Sequence, residues 1–172
     1  MRYFIIVVML SMTLFAACVS SIPSSNNTGR FVDNNDGTIS DNKTGLVWKQ
    51  DSFGAEHLGD GVYSDIEVLI WSDALYEAEA YSDDNGYTWR LPTIKELNSL
   101  IERSCAAPAL LPMFDYNSNI ATKYWSSTHA NASGDVYADT EAMIINFETG
   151  QIELQDKMHD SNITMRLVRI RQ

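Results

Sequence analysis

Residues 86–102 read GYTWRLPTIKELNSLIE, and their period changes half-way. Tyr87, Trp89 and Leu91 alternate with Thr88 and Arg90, the two-residue repeat of a strand. Pro92 cannot donate to a ladder and stops that run. Thr93 and Glu96 then have the S/T-x-x-E spacing of a capping box, in which the two residues satisfy each other's orphan backbone donors. Ile94, Leu97, Leu100 and Ile101 fall on one face of the helix that follows. A strand that hands over to a capped helix predicts an α+β domain. It also gives every residue of this corner a structural task.

The chain begins differently. Arg2 precedes the apolar run YFIIVVMLSMTLF, residues 3–15, which is shorter than the ~20 residues a bilayer span needs. A basic start, a short apolar core and then Ala16 and Ala17 spell a secretory signal. FAAC, residues 15–18, resembles the lipobox of bacterial lipoproteins, with phenylalanine in place of the usual leucine. The resemblance implies cleavage after residue 17 and acylation of Cys18. With Cys18 acylated, Cys105 is the only thiol left, a small buried hydrophobe beyond a helix, and a disulfide is excluded. Val19 rather than aspartate after the cysteine favours the outer membrane where a cell has two.

Arg2 is the only charged residue of the first 17, so the remainder holds 11 basic and 23 acidic side chains, a net charge of −12. Such a surface repels nucleic acid, anionic lipid and sulfated polysaccharide at long range unless a local basic patch overrides the mean, so nucleic acid is not expected as a partner. The segment 18–29 is polar and too poor in apolar side chains to order itself, so it reads as a tether of at most ~35–40 Å. The domain proper is expected over 30–172.

Within it, residues 30–50 read as three short strands, with Gly37 and Gly45 in their turns. Asp33, Asn35, Asp36 and Gly37 miss the register of a calcium loop by one position. Residues 50–63 read as a long loop. Ser72 is a candidate N-cap, with Trp71 and Tyr76 placed for a hydrophobic staple. Ala74, Leu75, Ala78 and Tyr81 continue that helix to the acidic turn SDDNG, residues 82–86. KYWSSTH, residues 123–129, reads as a strand, and AMIINFETGQIELQ, residues 142–155, as a hairpin with Met143, Ile145, Phe147, Ile152 and Leu154 inward. NITMRLVRIRQ, residues 162–172, is apolar on both faces, as an interior strand is.

These pieces, in this order, resemble the Lcl C-terminal domain family. The resemblance rests on DGTISDNKTGLVWKQ, WSDAL, WRLPTIKEL, YWSST, INFETG and RLVR, which span Asp36 to Arg169. The RLPT turn also resembles the formylglycine-generating-enzyme branch of C-type-lectin-like folds. The resemblance implies two helices packed on twisted antiparallel β-sheet, with the terminal strands paired. It further implies an adhesin-like task, since the best-known family member binds sulfated glycans. A net −12 surface departs from that ligand class, and Arg166, Arg169 and Arg171 form the one basic cluster in the sequence.

Chemistry is harder to find. His57, His129 and His159 stand far apart, and there is no G-x-S-x-G elbow, HExxH pair or Gly-rich phosphate loop. No enzyme and no cofactor are therefore expected. Asp83 and Asp84 are candidates to hold a calcium ion, against a solvated turn, just as the 33–37 turn is weighed as a metal loop against a hairpin turn. Tyr63, Tyr116 and Tyr137, in polar loops, are candidates for a stacking surface. The expected function is recognition of a glycan or surface protein by a lipid-anchored module of the bacterial cell envelope. The alternative is a structural, protein-binding lipoprotein, oligomeric or not.

Overall fold

The computed structural model describes residues 17–26, 29–58, 62–64, 66–114, 121–130, 140–159 and 162–172. Strands β1 (Ala17–Cys18), β2 (Phe31–Asp33), β3 (Thr38–Asp41), β4 (Leu46–Lys49), β5 (Glu56–Leu58) and β6 (Val62–Ser64) precede helices α1 (Trp71–Asn85) and α2 (Ile94–Asn98). Strands β7 (Cys105–Ala106), β8 (Lys123–His129), β9 (Glu141–Asn146), β10 (Gln151–Asp156), β11 (Ile163–Thr164) and β12 (Val168–Ile170) follow. The domain is therefore mixed α+β. Its two four-stranded sheets have the orders β12-β4-β3-β2 and β10-β9-β8-β11, all antiparallel except the β11–β8 pair. Two-stranded ribbons β5–β6 and β1–β7 complete it, so the expected loop 50–63 holds a hairpin.

Alternation along β4, β8 and β9 divides the interior in two. Trp48, Tyr124, Ile145 and Phe147 enter one cluster, closed by Ile94, Leu97 and Leu100 from α2 and the turn after it. Val47, Trp125 and Ile144 enter the other, closed by Ala74 and Ala78 of α1. Strands buried on both faces need apolar residues at consecutive positions, which LVW and II supply. Each fully buried large side chain stabilises the fold by ~1.5–3 kcal/mol.

The corner at 86–102 is a joint between these layers. Thr93 caps α2 as expected: Glu96 N–H donates to Thr93 Oγ1 at 3.3 Å, and Thr93 N–H donates to Glu96 Oε2 at 2.8 Å. The extended run before it makes a single bridge, between Arg90 and Val168, instead of a strand. What holds it is β8. Ser127 N–H donates to Pro92 O at 2.8 Å, and Thr128 Oγ1 accepts from Ile94 N–H at 2.9 Å. The register shift between Trp125 and His129 turns that half of β8 from β9 toward the corner.

Several local expectations change. Ile70, not Ser72, is the N-cap of α1, and Tyr76 is exposed, so there is no staple. The helix start is pinned by indoles instead: Trp71 Nε1 donates to Ser126 O and Trp125 Nε1 to Leu69 O. The hairpin β9–β10 forms with Gly150 at φ 74°, where an added Cβ would lie 3.2 Å from that of Ala109. Ile152 and Leu154, however, are 50% and 51% exposed, because β10 is a sheet edge that nothing covers among the described residues. The run 162–172 serves two sheets in turn, as β11 beside β8 and β12 beside β4. The C-terminal strand thus joins the N-terminal sheet, but on β4; the first domain strand, β2, lies at the opposite edge.

The polar segment expected to be a free tether is docked where it is described. Val19 N–H donates to Ser104 O, and Asn26 Oδ1 accepts from Phe31 N–H. Ser24 and Ser25 reach Glu102, a fully buried carboxylate that accepts five hydrogen bonds in all. Side-chain oxygens, not apolar contacts, order this strap, and composition alone could not show that.

Candidate functional site

Trp89 stands between two clefts. Its indole, 6% exposed, meets Tyr81 edge-on at 6.2 Å, with the Lys49 ammonium 5.9 Å and the Arg169 guanidinium 5.2 Å from its ring centre. Arg169 also lies 4.4 Å over exposed Tyr87. The first cleft, about 450 Å³, runs between α1 and the corner. Leu75, Ala78, Trp89 and Leu91 give it an apolar lining, and Glu79, Ser82, Arg90, Thr93 and Ser127 supply polar groups. The second, about 360 Å³, is lined by Phe53, Tyr81 and Leu167 with Lys49, Asp51 and Glu67.

One wall of the first cleft is rigid. Arg90 grips Glu96 with two hydrogen bonds, at 2.8 and 2.7 Å. That bonding raises the Arg90 pKa. Burial would raise the Glu96 pKa, but the bonds from Arg90 and Thr93 outweigh it and hold the carboxyl below its usual range. An apolar floor with fixed polar groups suits a sugar ring or an apolar side chain. The lining has no histidine or cysteine to act as nucleophile or general base.

The residues singled out in the sequence do not assemble here. Asp83 and Asp84 are exposed in the last turn of α1 rather than in the turn after it, and as neighbours on a helix they diverge. Among the described residues no group of three or more His, Cys, Asp or Glu is placed to hold a metal ion. Asp33 and Asp36 accept from Asn35 and Thr38 backbone N–H groups, so they shape their turn. Tyr63 pairs with His57 across β5–β6, but its side chain is outside what is described, and Tyr116 and Tyr137 lie outside the described residues altogether. The expected arginine cluster is dispersed. Arg166 is buried, Arg169 lies on Tyr87 and Trp89, and Arg171 donates to Asn42 Oδ1 at 2.9 Å. His129 faces Trp71, and its Nδ1 lies 3.0 Å from Lys157 Nζ. The cleft itself was missed because Leu75 read only as a helix position, Ser82 as part of the acidic turn, and Glu79 carried no signal of its own.

Cys18 and Cys105 form a disulfide across β1–β7, closing a separation of 87 residues. This corrects the reading of Cys105 as a lone free thiol and the exclusion of a disulfide. The segment expected to be a tether brings its cysteine back to the domain. Acylation of Cys18 would use the same sulfur, so the two fates exclude each other in any one molecule. Thiol alkylation under denaturing, non-reducing conditions separates them. The disulfide form is expected to take up no label, and the acylated form one label, at Cys105. In the chain-entropy picture a crosslink this long contributes ~4 kcal/mol, so reduction is expected to lower the urea midpoint.

Among curated proteins, none matches the chain. The profile of the Lcl C-terminal domain family matches residues 37–169, from the first hairpin turn to β12, and so includes both four-stranded sheets apart from β2, both helices and the Trp89 corner. The chain belongs to the Lcl C-terminal domain family.

Proposed function

We propose that this chain is a non-catalytic binding module of the bacterial cell envelope, attached to a membrane through its N-terminus, and that it recognises a glycan or a surface protein. We further propose that its α+β architecture is a variant of the C-type-lectin-like fold without that fold's calcium chemistry. The observation that carries the reading is the first cleft, whose apolar floor and Arg90–Glu96 wall are held in place before any ligand arrives. A preformed site loses little conformational freedom on binding. The acidic surface, net −12 beyond residue 17, directs the choice toward neutral sugars or cationic partners rather than sulfated ones. The sequence support for attachment is the apolar run 3–15 and the lipobox-like FAAC, and the attached form is the one whose Cys18 carries lipid instead of the disulfide, with the outer membrane favoured in a two-membrane cell.

The test is a glycan array probed with residues 18–172, beside the variant Glu79→Arg. Glu79 is exposed on α1 and lines the cleft. Specific binding by the parent, reduced at least ~10-fold in the variant with an unchanged melting temperature, is the expected result; a ~1.4 kcal/mol loss corresponds to that factor. Binding that ignores the substitution removes the cleft from the account. A blank array favours the protein-binding alternative, for which Ile152 and Leu154 on the β10 edge, uncovered among the described residues, are the specific support.

A further inference from the structure

The docked strap brings the N-terminus to one end of the domain, and that end has its own cleft. Val19 is bonded to Ser104, and Ala17–Cys18 lie beside Cys105–Ala106, so the first described residues lie next to the segment that follows Arg103. Arg103, Lys43, Arg30, Ser99 and Glu102 help line a groove of about 380 Å³. Two acidic groups there are already used. The Arg30 guanidinium binds Asp41 at 2.9 and 2.6 Å, and the Glu102 carboxylate is enclosed by its five donors. Lys43 and Arg103 are different: both are exposed, and neither has a carboxylate within 4.0 Å among the described residues. The Ser99 hydroxyl in the groove wall is buried without a hydrogen-bond partner. Arg171, bonded to Asn42, adds a positive charge beside the Lys43 turn.

On a domain of net −12 this end carries two exposed cations without a carboxylate partner among the described residues, and the described strap docks beside them. We propose that the groove binds the phosphate of an anionic lipid headgroup, with Lys43 and Arg103 as charge partners. The proposal rests on the membrane attachment proposed above, and on the strap staying docked in the acylated form through Val19–Ser104 and the bonds of Ser24 and Ser25 to Glu102, which do not need the disulfide. It sets the domain's orientation: the strap end sits on the bilayer, and a repulsive acidic surface keeps the other faces away. Arg103 offers several donors to phosphate oxygens, and Lys43 a compact charge.

The experiment uses the full chain in nanodiscs of phosphatidylcholine, with or without phosphatidylglycerol, and measures amine acetylation of each lysine by peptide mass spectrometry. Lys43 is expected to react severalfold more slowly in the anionic discs, with exposed Lys95, outside the groove, as the unchanged reference. In Arg103→Glu the difference is expected to vanish. Equal Lys43 rates in both discs, or protection that persists in Arg103→Glu, overturns the proposal. Equal protection in neutral discs by millimolar inorganic phosphate also overturns the lipid assignment, leaving a site for free phosphate. If the chain does not co-purify with discs at all, the attachment reading fails and this inference fails with it.

Discussion

Replacing Arg166 with alanine is expected to destabilise the domain by ~3–5 kcal/mol, the combined cost of buried carbonyls left without a donor and of the void left by a large buried side chain. For a chain of this size that lowers the melting temperature by about 10 °C. Arg166 is fully buried, and its NH1 group donates to the carbonyls of Lys49 and Gln50. The guanidinium lies 5.4 Å from the centre of the Phe114 ring and 5.6 Å from that of Tyr124, whose hydroxyl bonds Ser52 at 2.6 Å. One side chain thus ties the segment after β4 to the C-terminal run, where Lys49 N–H and Phe53 N–H also donate to Leu167 and Met165. Truncation leaves two carbonyls without their donor and a void between two rings. Arg166→Lys is expected to recover little, because an ammonium cannot reproduce a planar fork stacked between aromatics. Urea midpoints decide it. An alanine variant within ~1 kcal/mol of the parent would sink the account.

Much of the architecture was legible where one residue has one task. Thr93 and Glu96 announce a cap wherever the chain goes, because both bonds close within four residues. The alternation Tyr124–Trp125 announced a strand, and the structure adds that its two faces enter two different cores. What failed needed partners distant in sequence. Ser72 has good capping chemistry, but Trp71 and Trp125 indole bonds across more than fifty residues set the helix start instead. Ile152 and Leu154 alternate correctly for a buried face, yet burial depends on what covers β10. Local pattern specifies which face, not whether a layer lies over it. The strap and its disulfide were hidden for the same reason, since Ser24 finds Glu102 78 residues away. The stretches that carry the family resemblance prove to be joints: RLPT is bonded to WSST, and Phe147 of INFETG is buried while Gly150 makes the turn. They specify a scaffold. The first cleft is lined by α1 and by flanks of those joints, so its ligand chemistry is set by residues such as Glu79 and Ser82 that no motif marks.

The strap predicts an acid response. Burial alone would raise the Glu102 pKa, but bonds from Ser104, Ser24 and Ser25 overcome it and hold the value at about 2, against an ordinary 4.5. A carboxylate depressed in the folded state contributes stability that is complete above its unfolded pKa and lost as pH falls through the folded one. The window therefore runs from about pH 5 down to about pH 2, and a shift of this size corresponds to ~3 kcal/mol at neutral pH. Asp41, Glu96 and Glu153 are also held low, so the parent loses stability with acid for several reasons. The Glu102 share is isolated by comparison with Glu102→Gln, which keeps the shape but not the charge. The amide presents an NH₂ group where the carboxylate accepted from serines, so some donors lose their acceptor. At pH 7 the variant is expected to be less stable by ~2–3 kcal/mol, with faster hydrogen exchange at Ser25 and Ser104, whose N–H groups bond the carboxylate. As pH falls toward 2 the two stabilities are expected to converge, because the parent then carries a protonated group in the same place. A gap that stays constant from pH 7 to pH 2 would mean that Glu102 contributes by shape and packing, and that its charge does not hold the strap.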